Sequence, residues 1–164
     1  MKLKKILLEI GNRILVPTSN SYGWGGGKST FSIDGVDYEI NIDANDNYTV
    51  SPTIERFPAV SVSFNIAGKE KYDQTNKNVP LQIMSYVIGA FEMFGKGVLK
   101  KSTKVDEIRV NSLVYSSPDQ RKLNLYNKVV ENYCKTKDCT VSFTTTDSGR
   151  VVRAVFDPYI KFTK

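Results

Sequence analysis

The residues with most promise for chemistry begin at Gly25-Gly26-Gly27-Lys28-Ser29, which ends like a phosphate-binding loop. That chemistry needs G-x-x-x-x-G-K-[ST] between a buried strand and a helix, so that backbone N–H groups and the helix N-terminus surround the phosphates. The position required for the first glycine is Tyr22, and the residues after Ser29 alternate as a strand. A nucleotide-cleaving site is therefore not expected. The chain has 164 residues and no histidine, so serine and cysteine nucleophiles lack their usual base. Cys134 and Cys139 fall short of the four Cys/His ligands of a structural zinc site. With no export signal, they read as reduced structural thiols. Asp43-Ala44-Asn45-Asp46-Asn47 lacks the glycine and terminal glutamate of a calcium loop and reads as a turn. No catalytic residue, metal or cofactor is assigned.

Binding is the chemistry the composition does offer. A net charge of +6 at pH 7 favours nucleic acid, anionic lipid or an acidic protein surface. Much of it lies at Lys2, Lys4 and Lys5, and in Lys96, Lys100, Lys101 and Lys104, read as one loop. The second group is the candidate set of phosphate contacts for nucleic acid, although neither group has the interleaved aromatics of a single-strand platform. Trp24, displayed beside Lys28 on a glycine-rich stretch, is the candidate contact for a protein partner, together with Lys4 and Lys5. A third set, Lys77, Arg121 and Tyr126, falls near two predicted helix starts and could line an anion groove.

The elements that must position these residues follow from periodicity. Residues 1–16 read as an amphipathic helix and its connection, with Leu3, Ile6, Leu7 and Ile10 on one face. Residues 17–30 read as a flexible Gly-rich loop. Alternation then predicts a hairpin turning at Asp34-Gly35, and a further strand over 59–66. Apolar residues from Ile83 to Phe94 recur at helical spacing behind Pro80. A strand over 105–114, a helix over 118–133 and a final hairpin (140–145 and 150–156) complete the pattern. The expected fold is one α+β domain over residues 1–164: a mainly antiparallel sheet with helices packed on it. No run is long and apolar enough to cross a bilayer, so no membrane insertion is expected. The N-terminus does not read as a signal peptide, because Glu9, Asn12 and Arg13 interrupt its apolar stretch. Secretion by a signal peptide is accordingly not expected.

Two resemblances add to this reading. The order strand, helix, strand, helix, two strands in the second half resembles the core of the acetyltransferases that use acetyl-coenzyme A. Ser117-Pro118-Asp119 through Leu125-Tyr126 is similar to that family's late helix. The glycines of its pyrophosphate loop are missing from Asp73-Gln74-Thr75-Asn76-Lys77-Asn78, so the resemblance implies an enzyme with a degenerate cofactor loop. Taken whole, the chain resembles small proteins encoded by tailed bacteriophages. The resemblance rests on Lys4-Lys5-Ile6-Leu7-Leu8-Glu9-Ile10-Gly11, on Thr75-Asn76-Lys77-Asn78 with Ile83-Met84-Ser85-Tyr86-Val87-Ile88, and on Asp119-Gln120-Arg121 with Asn124-Leu125-Tyr126. It implies a non-catalytic accessory protein, in the host cytoplasm or the virion, that binds a host or phage protein or joins a larger assembly. A basic, nucleic-acid-associated phage protein is the alternative.

Overall fold

The computed structural model describes residues 14–68, 80–117, 119–146 and 148–164. Lys4, Lys5, Lys77 and most of the expected N-terminal helix lie outside them. In chain order the elements are β1 (Ser19–Gly23), β2 (Gly26–Ile33), β3 (Val36–Asp43), β4 (Tyr48–Ser51), β5 (Ile54–Phe57) and β6 (Val60–Ile66). They are followed by α1 (Pro80–Lys101), β7 (Glu107–Ser116), α2 (Gln120–Thr136), β8 (Thr140–Thr145) and β9 (Val151–Thr163). The fold is α+β, with one mostly antiparallel sheet as the sequence predicts.

Strand order along the main path is β1-β2-β3-β6-β7-β5-β4, with β9 between β7 and β8. The hairpin at Asp34-Gly35 forms as expected. Both residues have positive φ, as the tight turn between right-twisted strands requires. β5 and β6 run parallel to β7 on the same edge, Ile54 opposite Glu107 and Val60 opposite Leu113. That offset is constant, so β5 and β6 behave as one strand interrupted at Pro58. Ser112 Oγ donates to the Pro58 carbonyl at 2.7 Å and bridges the break. The other edge of β7 pairs with β9 along nearly its whole length.

Side chains of period two from β2, β3, β6, β7 and β9 enter one core: Phe31, Tyr38, Ile40, Val62, Ile108, Val110, Ala154 and Phe162 are all buried. Both helices cover this face and touch each other, with the Phe91 ring edge-on to Tyr133 of α2 and to Phe162 of β9. Among the described residues no helix covers the opposite face.

Several expectations need correction. The stretch 17–30, expected as a flexible loop, forms β1 and the start of β2, because Tyr22 packs inward against Phe94 and its hydroxyl meets Ser29. α1 extends through Lys101, so Lys96, Lys100 and Lys101 are helical and do not lie in a loop. The expected apolar spacing ends at Phe94, but Val98 and Leu99, beyond Gly95 and Gly97, are buried and continue the stripe. β9 runs past the Asp157-Pro158 pair, whose peptide is cis, and an irregularity opposite Val110–Ser112 absorbs the residues there. The two cysteines are joined, Cys134 to Cys139, tying the end of α2 to the approach to β8.

Candidate functional site

Trp24 sits in the β1–β2 turn. Gly25 accepts a hydrogen bond from the Ala44 N–H at 3.0 Å. Gly26 has a φ of 115°, and a Cβ there would lie 2.0 Å from the Ile42 carbonyl oxygen. Glycine is required here for close approach of two backbones, a different use from phosphate binding. The Trp24 ring stacks on Phe57 (centroids 6.1 Å, planes 11° apart), and Phe57 meets Phe94 edge-on at 5.5 Å. Phe57 is fully buried while Trp24 keeps 36% of its surface exposed. The indole is thus fixed from beneath and open from above. Lys28 projects from the helix-free face and pairs with Glu39 at 3.0 Å.

The lysines of α1 are largely engaged. Lys96 pairs with Glu92 at 3.7 Å, and Lys101 donates to the Tyr22 carbonyl. Lys100 and Lys104 are exposed near the helix C-terminus, where positive charge offsets the helix dipole. Arg121 and Tyr126 do not share a groove. Arg121 is exposed in the first turn of α2, and its N–H is capped by the Asp119 carboxylate at 2.9 Å. Tyr126 is buried edge-on to Phe64 at 5.7 Å, because a five-residue step turns it towards the sheet.

Burial also governs the tyrosines. The Tyr22 hydroxyl is pushed up to about 12, mainly by burial and partly offset by its Ser29 contact. Burial pushes Tyr115, Tyr126 and Tyr133 up as well, with the Glu92 carboxylate adding to the effect at Tyr133. Tyr115 donates to Asn127 Oδ1 at 2.7 Å, and Tyr133 donates to buried Glu92, which Lys137 also reaches at 2.7 Å. These phenols stay protonated and pin the helices to the sheet and to each other.

A different cluster lies on the helix-free face. Tyr48 of β4 is in register with Arg56 of β5, Arg56 with Arg109 of β7, and Arg109 with Lys161 of β9. Register places all four side chains in one row on one face. Arg56 donates to the Tyr48 hydroxyl at 3.5 Å. The Tyr159 ring lies beneath both guanidinium groups, 5.8 Å from Arg56 Cζ and 4.7 Å from Arg109 Cζ. Glu107 pairs with Arg109 at 2.5 Å and holds that guanidinium above its ordinary pKa. Glu55 turns to the other side of β5, where it accepts from Thr49 and Asn47. The sequence signal was weak, since the four residues of the row come from four separated strands.

Comparison of the chain with protein-family models, curated proteins and solved structures returns no match.

Proposed function

We propose that this chain is a non-catalytic accessory protein of a tailed bacteriophage that engages a protein partner through the Trp24 turn. The observation that carries the reading is the state of Trp24 itself, stacked on buried Phe57 yet more than a third exposed. A half-exposed aromatic already locked in place loses little conformational freedom on binding, and such residues dominate interface energies. Lys28 lies in the same hairpin and adds a charged flank, already shared with Glu39. The resemblance to small phage proteins supports the accessory role.

The test is affinity capture from host lysate, with and without nuclease, using wild type, Trp24→Phe and Trp24→Ala, each with its melting temperature recorded. Trp24→Phe keeps a ring on Phe57 and guards against misreading a folding defect. The expected result is a stoichiometric protein partner whose recovery falls about tenfold in Trp24→Ala and less in Trp24→Phe, a loss typical of one interface anchor. Recovery of nuclease-sensitive material alone, or equal capture by all three proteins, would overturn the reading.

A further inference from the structure

We infer that the helix-free sheet face carries a second binding site, for single-stranded nucleic acid, built on the Tyr48–Arg56–Arg109–Lys161 row. This goes beyond the protein-binding reading and uses none of its residues. Arg56, Arg109 and Lys161 stand side by side on adjacent strands, and Glu107 is the only carboxylate placed in contact with them among the described residues. The row therefore keeps a positive surplus. Neighbouring strands are about 4.8 Å apart, so the four positions span roughly 14 Å, a track along which successive phosphates of one strand can be met.

The aromatic residues favour an unpaired strand over a duplex. Tyr159 lies under the two guanidinium groups and makes a cation–π contact with each, while Arg56 also donates to Tyr48 and Arg109 to Glu107. Tyr48, at the end of the row, is 48% exposed and offers a ring on which a base can stack. A duplex keeps its bases stacked internally and presents phosphates alone, whereas an unpaired strand uses both the cations and the ring. An acidic polypeptide would use the cations and leave Tyr48 idle.

The experiment is fluorescence anisotropy with a labelled oligothymidylate of about 20 nucleotides, repeated at several salt concentrations. Competitors are unlabelled duplex DNA and polyglutamate. Three phosphate contacts predict that log Kd rises with log salt at a slope of about 2. Arg56→Gln/Arg109→Gln/Lys161→Gln should weaken binding at least tenfold and flatten that slope. Tyr48→Ala should weaken it about fivefold and leave the slope unchanged, as expected for loss of stacking. Lys128→Gln/Lys135→Gln, which lowers the net charge by two at exposed positions of α2 on the opposite face of the sheet, should change Kd less than about twofold.

Lys161→Gln and Tyr48→Ala alter exposed side chains, so they report on the site even where the triple variant folds poorly. Absence of binding at moderate salt would overturn the inference. So would equal losses in the row and control variants, or equal competition by duplex DNA or polyglutamate. None of these outcomes bears on the Trp24 capture experiment, so the two readings fail separately.

Discussion

Tyr22, Tyr115, Tyr126 and Tyr133 place four phenols inside the protein, and in each case burial raises the pKa above the ordinary value near 10. The unfolded chain releases these protons near pH 10, while the folded chain retains them to higher pH. Above that point the folded state binds more protons, so stability is full below about pH 10 and falls as pH rises. Urea midpoints should therefore be level through mildly alkaline pH and then decline, with tyrosinate absorbance appearing together with unfolding. A midpoint unchanged to about pH 11.5 would contradict this account of the core. Replacing Tyr22 by Phe should shallow the decline, because its hydroxyl is among those that must be deprotonated. Tyr126 and Tyr133 fall in the helix expected over 118–133, where a seven-residue spacing puts them on one face. Tyr22 was not legible as a core residue, since it stands in a glycine-rich stretch whose composition reads as loop.

Among the elements, α1 shows how one residue type can carry opposite meanings. Gly95 and Gly97 look like a helix terminus in sequence, yet both lie inside the helix. A Cβ at Gly95 would lie 2.5 Å from the buried Phe162 ring, whereas at Gly97 the nearest atom would be 3.9 Å away. Gly97→Ala should therefore stabilise the protein by about 0.5–1 kcal/mol through helix propensity alone. Gly95→Ala gains the same propensity but must displace a packed ring, an overpacking cost of about 1–3 kcal/mol, so its net effect should be destabilising. Chemical denaturation of the two variants checks the contrast, and stabilisation by both would show that Phe162 gives way freely. Other elements were hidden for equally local reasons. β4 and β5 are four residues each, too short for alternation to register, and Pro158 hid the far half of β9 because proline supplies no ladder donor. Long strongly patterned elements, such as β3 and α2, were recovered from the sequence nearly to their ends.

In the whole molecule the sheet is organised around β7. β9 covers one of its edges, while β5 and then β6 cover the other at a constant offset. Ile108, Val110, Leu113 and Tyr115 bury its inner face beneath the helices. This arrangement also creates the Tyr48–Arg56–Arg109–Lys161 row, because only the closure of β4, β5, β9 and β7 into one sheet brings these residues together. Sequence patterning identifies which residues face inward, but it does not supply the register between distant strands that makes a site. The same topology sets a gradient of stability. β7 amides open only when both neighbouring edges and the core separate, whereas β1, β4 and β8 form the margins of the sheet. Native-state hydrogen exchange should find the amides of residues 108–115 slowest, exchanging with the free energy of global unfolding. The β4 amides should exchange earliest of the strands, since β4 has four residues, a register irregularity and exposed Tyr48 and Val50. Protection of β4 equal to that of β7 would mean that its margin is covered in solution. Adding oligothymidylate gives this measurement a second use, because a strand laid across the row contacts β4 and β9 together. Protection should then rise at β4 far more than at β8, which lies on the far side of β9 from the row.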